Sequence, residues 1–232
     1  MLKPGQTAIV TGGGSGIGRA IAAALAQCGL RVVLVGRDAA KLNAAGIPHA
    51  IPLVADVATE AGRARIAAAA GGTLGVLVHS AGAYSADPVE RLDEAAWREI
   101  EAVNLHGPLL LTSCCLSQLR AARGQVVFIN SSAGLQPAGA NRAAYAATKY
   151  ALRAAADALR AEVNADGIRV LSVFPGRTAT PMQGAILQAE GRSAAPGTLL
   201  APQDVAAMTV AALSLPDSAE VTEIVMRPMK KL

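Results

Sequence analysis

Short runs rich in Val, Ile and Leu alternate along this chain with stretches of helical composition, and that alternation leaves few folds open. The apolar runs cover 6–11 (QTAIVT), 31–35 (RVVLV), about 50–54 (AIPLV), 74–80 (LGVLVHS), 125–130, 168–173 (IRVLSV) and about 221–226. Helical stretches fill 17–29, a short piece opened by Asp38 as N-cap, about 59–70, 93–121, 143–164 and 202–214. Strands that are apolar on both faces, joined by helices, mean a parallel sheet covered on both sides. The expected fold class is therefore α/β, a single doubly wound parallel sheet of about seven strands with helices on both faces. No repeat or linker divides residues 1–232, so one domain is expected. Two irregularities stand out. Gly107-Pro108 predicts a kink in the 93–121 helix. Residues 176–200, with Pro181, Gly184, Gly191, Pro196 and Gly197 between helical fragments, read as a lid over a site. Pro202 and Asp204 open the last helix.

Composition removes several classes. Hydrophobic residues make up 52% but aromatics only 3%, so Ala, Val, Leu and Ile must build the core. No apolar run reaches the ~18–20 residues of a membrane span, and the chain enters its first strand at once, so neither a membrane segment nor a signal peptide is expected. Cys28, Cys114 and Cys115 have no metal or CxxC spacing; the adjacent pair reads as buried reduced thiols. No metal site and a cytoplasmic location follow. The net charge of +4 is scattered, with Lys230–Lys231 its only cluster, so nucleic acid is not an expected partner.

The first strand runs into Thr11-Gly12-Gly13-Gly14-Ser15-Gly16-Ile17-Gly18 and then a helix. Glycines allow a tight turn and close backbone approach, and a helix N-terminus attracts a pyrophosphate. Gly12, Gly14, Ser15, Gly16, Ile17 and Gly18 are thus expected to hold a dinucleotide; the alternative is a plain glycine-rich turn. An acidic residue at the end of the second strand would bind a ribose 2′-hydroxyl. Gly36 and Arg37 stand there instead, and a guanidinium matches a phosphate. The expected cofactor is NADP(H) rather than NAD(H), unless Arg37 merely faces solvent. Asp56 either meets the adenine or caps its own loop.

Tyr145 and Lys149, four apart, share a helix face, about 5–6 Å apart at Cβ. A neighbouring ammonium favours phenolate and would bring the tyrosine towards a useful acid/base range. Ser132 ends the preceding strand region, thirteen residues before Tyr145. An incidental Tyr and Lys on an Ala-rich helix is the competing reading.

In this order and at these separations, the glycine loop 12–18, Asp56-Val57, Ser80-Ala81-Gly82, Asn104, Ser132, Tyr145-x-x-x-Lys149 and Pro175-Gly176 with Thr180 resemble the short-chain dehydrogenase/reductase family over essentially the whole chain. The resemblance implies a Rossmann-type fold and a catalytic tetrad. Tyr145 would be the acid/base, and Ser132 would hydrogen-bond the substrate carbonyl. Lys149 would hold the nicotinamide ribose and depress the tyrosine pKa, while Asn104 would anchor a water leading from Lys149 to solvent. Ser131 competes for the serine role; the thirteen-residue offset favours Ser132. Val57, Ser80, Ala81, Gly82, Pro175, Gly176, Thr178 and Thr180 would contact the cofactor, Thr178 through its backbone. Two positions depart from the pattern: His79-Ser80 replaces the usual Asn-Asn, with His79 read as a packed strand residue, and Thr178 replaces a β-branched aliphatic.

Substrate choice is expected to lie with 83–92, 133–144 and 177–200. Arg142, Arg177 and Arg192 either meet a carboxylate or are simply solvated. The implied activity is NADP(H)-dependent interconversion of carbonyl and alcohol on a small ketone, aldehyde or 3-hydroxy/3-oxo acid. The alternatives are a 3-oxoacyl thioester reductase and, in another class, a non-enzymatic NADP(H) sensor. Family members commonly form dimers or tetramers through two long helices, here 93–121 and 143–164, so a homodimer or homotetramer is expected.

Overall fold

The computed structural model describes residues 1–136 and 139–230. Among them, seven strands form one parallel sheet in the order β3-β2-β1-β4-β5-β6-β7. These are β1 (Thr7–Thr11), β2 (Arg31–Gly36), β3 (Ile51–Val54), β4 (Val76–His79), β5 (Gln125–Ile129), β6 (Arg169–Pro175) and β7 (Glu223–Met226). The chain runs outward from β1 to β3, then returns to β4 beside β1 and continues the other way. That reversal opens a crevice at the carboxyl ends of β1 and β4, the place where open α/β sheets bind ligands.

Strand side chains alternate between two apolar layers. Ile9, Leu77, Val126 and Phe128 point to one side, which α3 (Glu60–Ala69), α5 (Gly107–Ala122) and α6 (Ala143–Val163) cover. Ala8, Val10, Val78 and Val127 point to the other, covered by α1 (Gly16–Gln27) and α8 (Pro202–Leu213). The short α2 (Ala39–Asn43) starts as expected, with Asp38 accepting from Lys41 N at 3.1 Å. Pro202 opens α8, and Asp204 accepts from Ala201 N.

The kink takes a specific form. α4 (Glu94–Glu101) continues into a π-helical turn, Ala102–His106, before α5 resumes at Gly107. Pro108 has no N–H to give, so the ladder is interrupted just ahead of it and one extra residue is accommodated. The reading of the cysteine pair is corrected. Cys115 is buried but Cys114 is exposed, because neighbours on a helix lie about 100° apart and only one can face the core. Among the described residues, no helix is long and apolar enough to cross a membrane, and no group of His, Cys, Asp and Glu is placed to hold a metal ion.

After β6 the chain makes an excursion through α7 (Pro181–Ala189) and returns to pair Thr178 with Leu200. Ala179 N donates to Leu200 O and Leu200 N to Arg177 O, both at 2.9 Å. The excursion is thus closed at its base by backbone pairing, and Arg177, Thr178, Thr180, Met182, Gln183 and Ile186 from it line the crevice. Of the 133–144 loop, Pro137 and Ala138 lie outside the described residues, as does Lys231 of the terminal basic pair.

Candidate active site

A cavity of about 370 Å³ occupies the crevice. Its floor is the turn from β1 into α1. Gly12 (φ +66°) and Gly16 (φ +52°) adopt left-handed backbone, and a Cβ on either would collide, on Gly12 at 2.7 Å from Ser80 O and on Gly16 at 2.9 Å from Thr180 Cγ2. Ser15 leads into α1 in extended conformation without a side-chain cap, so the first N–H groups of α1 take no side-chain partner from it. Gly12, Ser15, Gly16 and Ile17 line the cavity as expected. Gly14 and Gly18 do not. A Cβ on Gly14 would press on Lys41 of α2 at 3.3 Å, and one on Gly18 would strike the Gly12 carbonyl. Their smallness lets neighbouring backbone approach.

Arg37, exposed after β2, lies on the cavity wall with Asp56 and Val57 after β3. Asp56 caps its own loop through Oδ1, accepting from Ala58 N at 2.9 Å, and still borders the cavity. Ser80, Ala81 and Gly82 follow β4 along the wall. Their backbone is held by a residue the sequence reading passed over: Thr11 Oγ1 accepts from both Ser80 N and Ala81 N at 3.1 Å and donates to Val78 O. Pro175, Gly176, Thr178 and Thr180 line the opposite side. The Thr178 hydroxyl donates to Gly176 O, and Thr180 caps α7 by accepting from Gln183 N.

The polar centre lies between β5 and α6. Ser131, Ser132, Tyr145 and Lys149 all line the cavity. The Ser131 side chain is near enough to the Tyr145 hydroxyl to lower its pKa. Ser131 is extended and accepts from Ala133 N at 3.1 Å, whereas Ser132 begins a short 3-10 turn, Ser132–Gly134. Both serines are half-buried on the cavity wall, so both hydroxyls belong to the site. Asn130, also missed, fixes both neighbours by accepting from Ser131 N and donating to Lys149 O.

Asn104 sits buried in the π turn. Its Oδ1 accepts from Ala83 N at 2.8 Å, and its Nδ2 donates to Ala83 O and to Thr148 Oγ1. Its carboxamide is therefore spent on clamping the segment after β4 to α6, and it is absent from the cavity wall. Tyr84 in that clamped segment packs edge-on against Tyr145, ring centroids 5.0 Å apart.

The electrostatics reverse one expectation. Burial raises the Tyr145 pKa, against the lowering effects of the Ser131 side chain and the Arg142 charge. Lys149 does not supply the depression assigned to it. Its ammonium, 5.7 Å from the tyrosine ring centroid, donates to Ile129 O at 3.1 Å, and burial lowers its own pKa to about 8. Two buried groups on one helix face each resist ionisation, because burial disfavours the charged form of both.

His79 is a packed strand residue, stacked on Phe128 at 4.9 Å with burial lowering its pKa to about 3. Thr112 spends its proton on Pro108 O, so it accepts from His79 Nε2–H at 2.8 Å. This fixes the neutral tautomer and leaves Nδ1 without a partner among the described residues.

Comparison with known proteins agrees with this arrangement. The family model described as short chain dehydrogenase matches residues 6–191. An uncharacterized short-chain type dehydrogenase/reductase from Sinorhizobium fredii is 35% identical, covering 96% of this chain and 91% of that one. Among solved structures, a metagenomic short-chain oxidoreductase in complex with NADP superposes with a TM-score of 0.82 at 31% identity, covering 98% and 99% of the two chains. A 3-ketoacyl-(acyl-carrier-protein) reductase from Brucella melitensis complexed with NADH gives 0.85 at 26% identity, covering 96% and 97%. A seven-stranded parallel sheet, a glycine turn facing the crevice, a Tyr-x-x-x-Lys helix beside it and these relatives lead to one conclusion: the chain belongs to the short-chain dehydrogenase/reductase family and is an oxidoreductase of that family.

Proposed function

We propose that the protein interconverts a carbonyl and an alcohol on a small ketone, aldehyde or 3-hydroxy/3-oxo acid, with Tyr145 as acid/base and NADP(H) in preference to NAD(H). The observation that carries this reading is the placement of Tyr145 and Lys149 with Ser131 and Ser132 in the same cavity as the bare backbone at Gly12 and Gly16. That backbone and the open N-terminus of α1 fit a pyrophosphate, Arg37 fits a 2′-phosphate, and Ser80–Gly82 with Pro175–Thr180 offer the walls between them. The cofactor would supply or accept the hydride.

The chain's own residues manage the proton. A raised pKa keeps Tyr145 protonated at neutral pH, the state from which it gives its proton to a carbonyl oxygen during reduction. Ser132, with Ser131 as the alternative, donates a hydrogen bond to the same oxygen and fixes its position. In oxidation Tyr145 must take a proton, and the Arg142 charge favours the phenolate that does so. Asn104 acts through position, since the segment it clamps carries Tyr84. The segment 177–200 serves as the substrate lid. Reduction of a 3-oxoacyl thioester is the second reading, favoured by the likeness to the Brucella reductase. The intact Ser/Tyr/Lys set argues against a sensor without activity.

Exposed Leu110 on α5 and Tyr150 on α6 offer apolar contacts for a homodimer or homotetramer, which we place in the cytoplasm. Consumption of NADPH, with NADH in parallel, against ketones, aldehydes, oxo acids and acyl thioesters tests the reading. Turnover of a small carbonyl supports it; selective turnover of thioesters moves the function to the second reading, and tight NADPH binding with no turnover of any carbonyl refutes it.

A further inference from the structure

Arg142, Arg177 and Arg192 are neither separately solvated nor free of a carboxylate: they converge on one carboxylate of the chain itself. Glu190, just past α7, takes Arg142 Nη2 at 2.6 Å and Arg177 Nη2 at 2.9 Å, with Arg192 at 3.9 Å. The three arginines come from three segments: the loop into α6, the loop after β6, and the far side of α7. Burial opposes the Glu190 charge, yet the hydrogen bonds and charges of Arg177 and then Arg142 hold its pKa below the usual carboxylate range, so it is ionised. Among the described residues, one carboxylate therefore stands against two guanidiniums in direct contact and a third close by, so positive groups outnumber negative ones in the cluster.

That excess faces the reaction centre. Arg142 and Arg177 line the cavity together with Ser131 and Tyr145, while Glu190 does not. The carboxylate braces the two guanidiniums from behind. Arg142 stands three residues before Tyr145, one helical turn away, close enough for its charge to act on the tyrosine hydroxyl. Among the described residues lining the cavity, the only acid is Asp56. It follows β3, five strands from β6, which puts it roughly 24 Å away at ~4.8 Å per strand. It cannot neutralise the arginine end. Two buried donors on residues of the cavity wall also lack partners among the described residues, Arg177 Nη1 in the cluster and Gln183 Nε2 on α7. Buried donors without acceptors are uncommon and call for one.

We propose that this arginine end selects substrates carrying a carboxylate a few carbons from the reacting carbonyl, that is, short oxo acids and their hydroxy acid partners, with Arg142 and Arg177 binding the carboxylate and Glu190 setting the strength of the charge. The proposal rests on the carbonyl–alcohol reading above and narrows it to anionic substrates. Arg177 donates to both Glu190 oxygens from Nη2 alone, which leaves Nη1, buried and without a partner among the described residues, as the donor that an anion entering the cavity would satisfy.

The test compares kcat/KM for 2-, 3- and 4-oxo acids with that for each methyl ester, which keeps the carbonyl and removes the charge. At least one acid should exceed its ester by tenfold or more. Arg177→Met should bring that ratio towards one, and Arg177→Lys should leave it between, since charge is kept and the fork is lost. Glu190→Gln should raise the ratio, because it removes the negative charge behind the pair. A role confined to tying α7 down would instead lower acid and ester together in all three variants. Ratios at or below one in the wild type, or a ratio unmoved by Arg177→Met in protein shown folded by circular dichroism, overturn the proposal. If no carbonyl is turned over, the carbonyl–alcohol reading has failed and binding still decides this one. Titration calorimetry of protein saturated with NADP⁺ should then show an acid bound tenfold tighter than its ester; equal or absent binding overturns the selection of anions.

Discussion

Lys149 offers a prediction whose size follows from the structure. Its ammonium is buried beside Tyr145, and burial lowers its pKa from 10.5 to about 8. The folded protein therefore binds fewer protons than the unfolded chain wherever the pH lies between those values. Stability rises with pH when the unfolded state holds more protons, so the wild type should gain stability on moving from pH 7 to pH 10. Below pH 8 the cost of keeping the charge buried is present almost in full, and above 10.5 it is gone. Integrating over pH 7 to 10 gives a gain of about 2.5 kcal/mol at ~1.36 kcal/mol per unit. Lys149→Met keeps the volume and removes the titration. The variant also loses the hydrogen bond to Ile129 O, but that loss applies at both pH values because a neutral amine donates too. The quantity to measure is thus the difference in unfolding free energy between wild type and Lys149→Met, by urea denaturation at fixed protein concentration from pH 7 to 10. It should shift in favour of the wild type by about 2.5 kcal/mol across that range. A flat difference, within about 0.5 kcal/mol, or one that moves the other way would refute the argument that Lys149 is a strained buried charge.

Two further outcomes separate neighbouring residues and cofactors. Ser132→Ala should lower kcat by about 100-fold, the scale of losing one donor to a developing oxyanion, while Ser131→Ala should change it by less than about fivefold; steady-state kinetics on the best carbonyl substrate decides between them, and the reverse pattern would move the role to Ser131. Arg37→Met should lower kcat/KM with NADPH by about 10- to 100-fold, the worth of a charge-assisted hydrogen bond, and leave NADH nearly unaffected; equal losses with both cofactors would remove Arg37 from the 2′-phosphate site.

The parts of this fold that were legible in the sequence are those written in local pattern. Doubly buried strands read as unbroken apolar runs, and the Asp38 cap, Pro202 and the glycine turn each follow from one residue type at one position. Features that depend on path through space were not legible. That Ser131 and Ser132 both face the cavity follows from how a strand enters a 3-10 turn, which residue counting does not encode. The neighbours that Gly14 and Gly18 leave room for, Lys41 and the Gly12 carbonyl, are likewise set by the path of the chain. The four-residue spacing of Tyr145 and Lys149 gave their proximity but not the depth of burial that reverses the direction of the tyrosine shift. Glu190 lies 48 residues from Arg142 and 13 from Arg177, so their common ion pair is visible only once α7 folds back over the crevice.

The account stands most directly on Tyr145. Tyr145→Phe removes one oxygen from the centre of the cavity and leaves the glycine turn, Arg37 and the walls in place. Fluorescence titration should show NADPH bound to this variant within about threefold of the wild type, while carbonyl-dependent NADPH oxidation falls by about 10²- to 10⁴-fold, the range of a lost general acid. Turnover retained within tenfold, with NADPH binding unchanged, would contradict the assignment of Tyr145 as the acid/base.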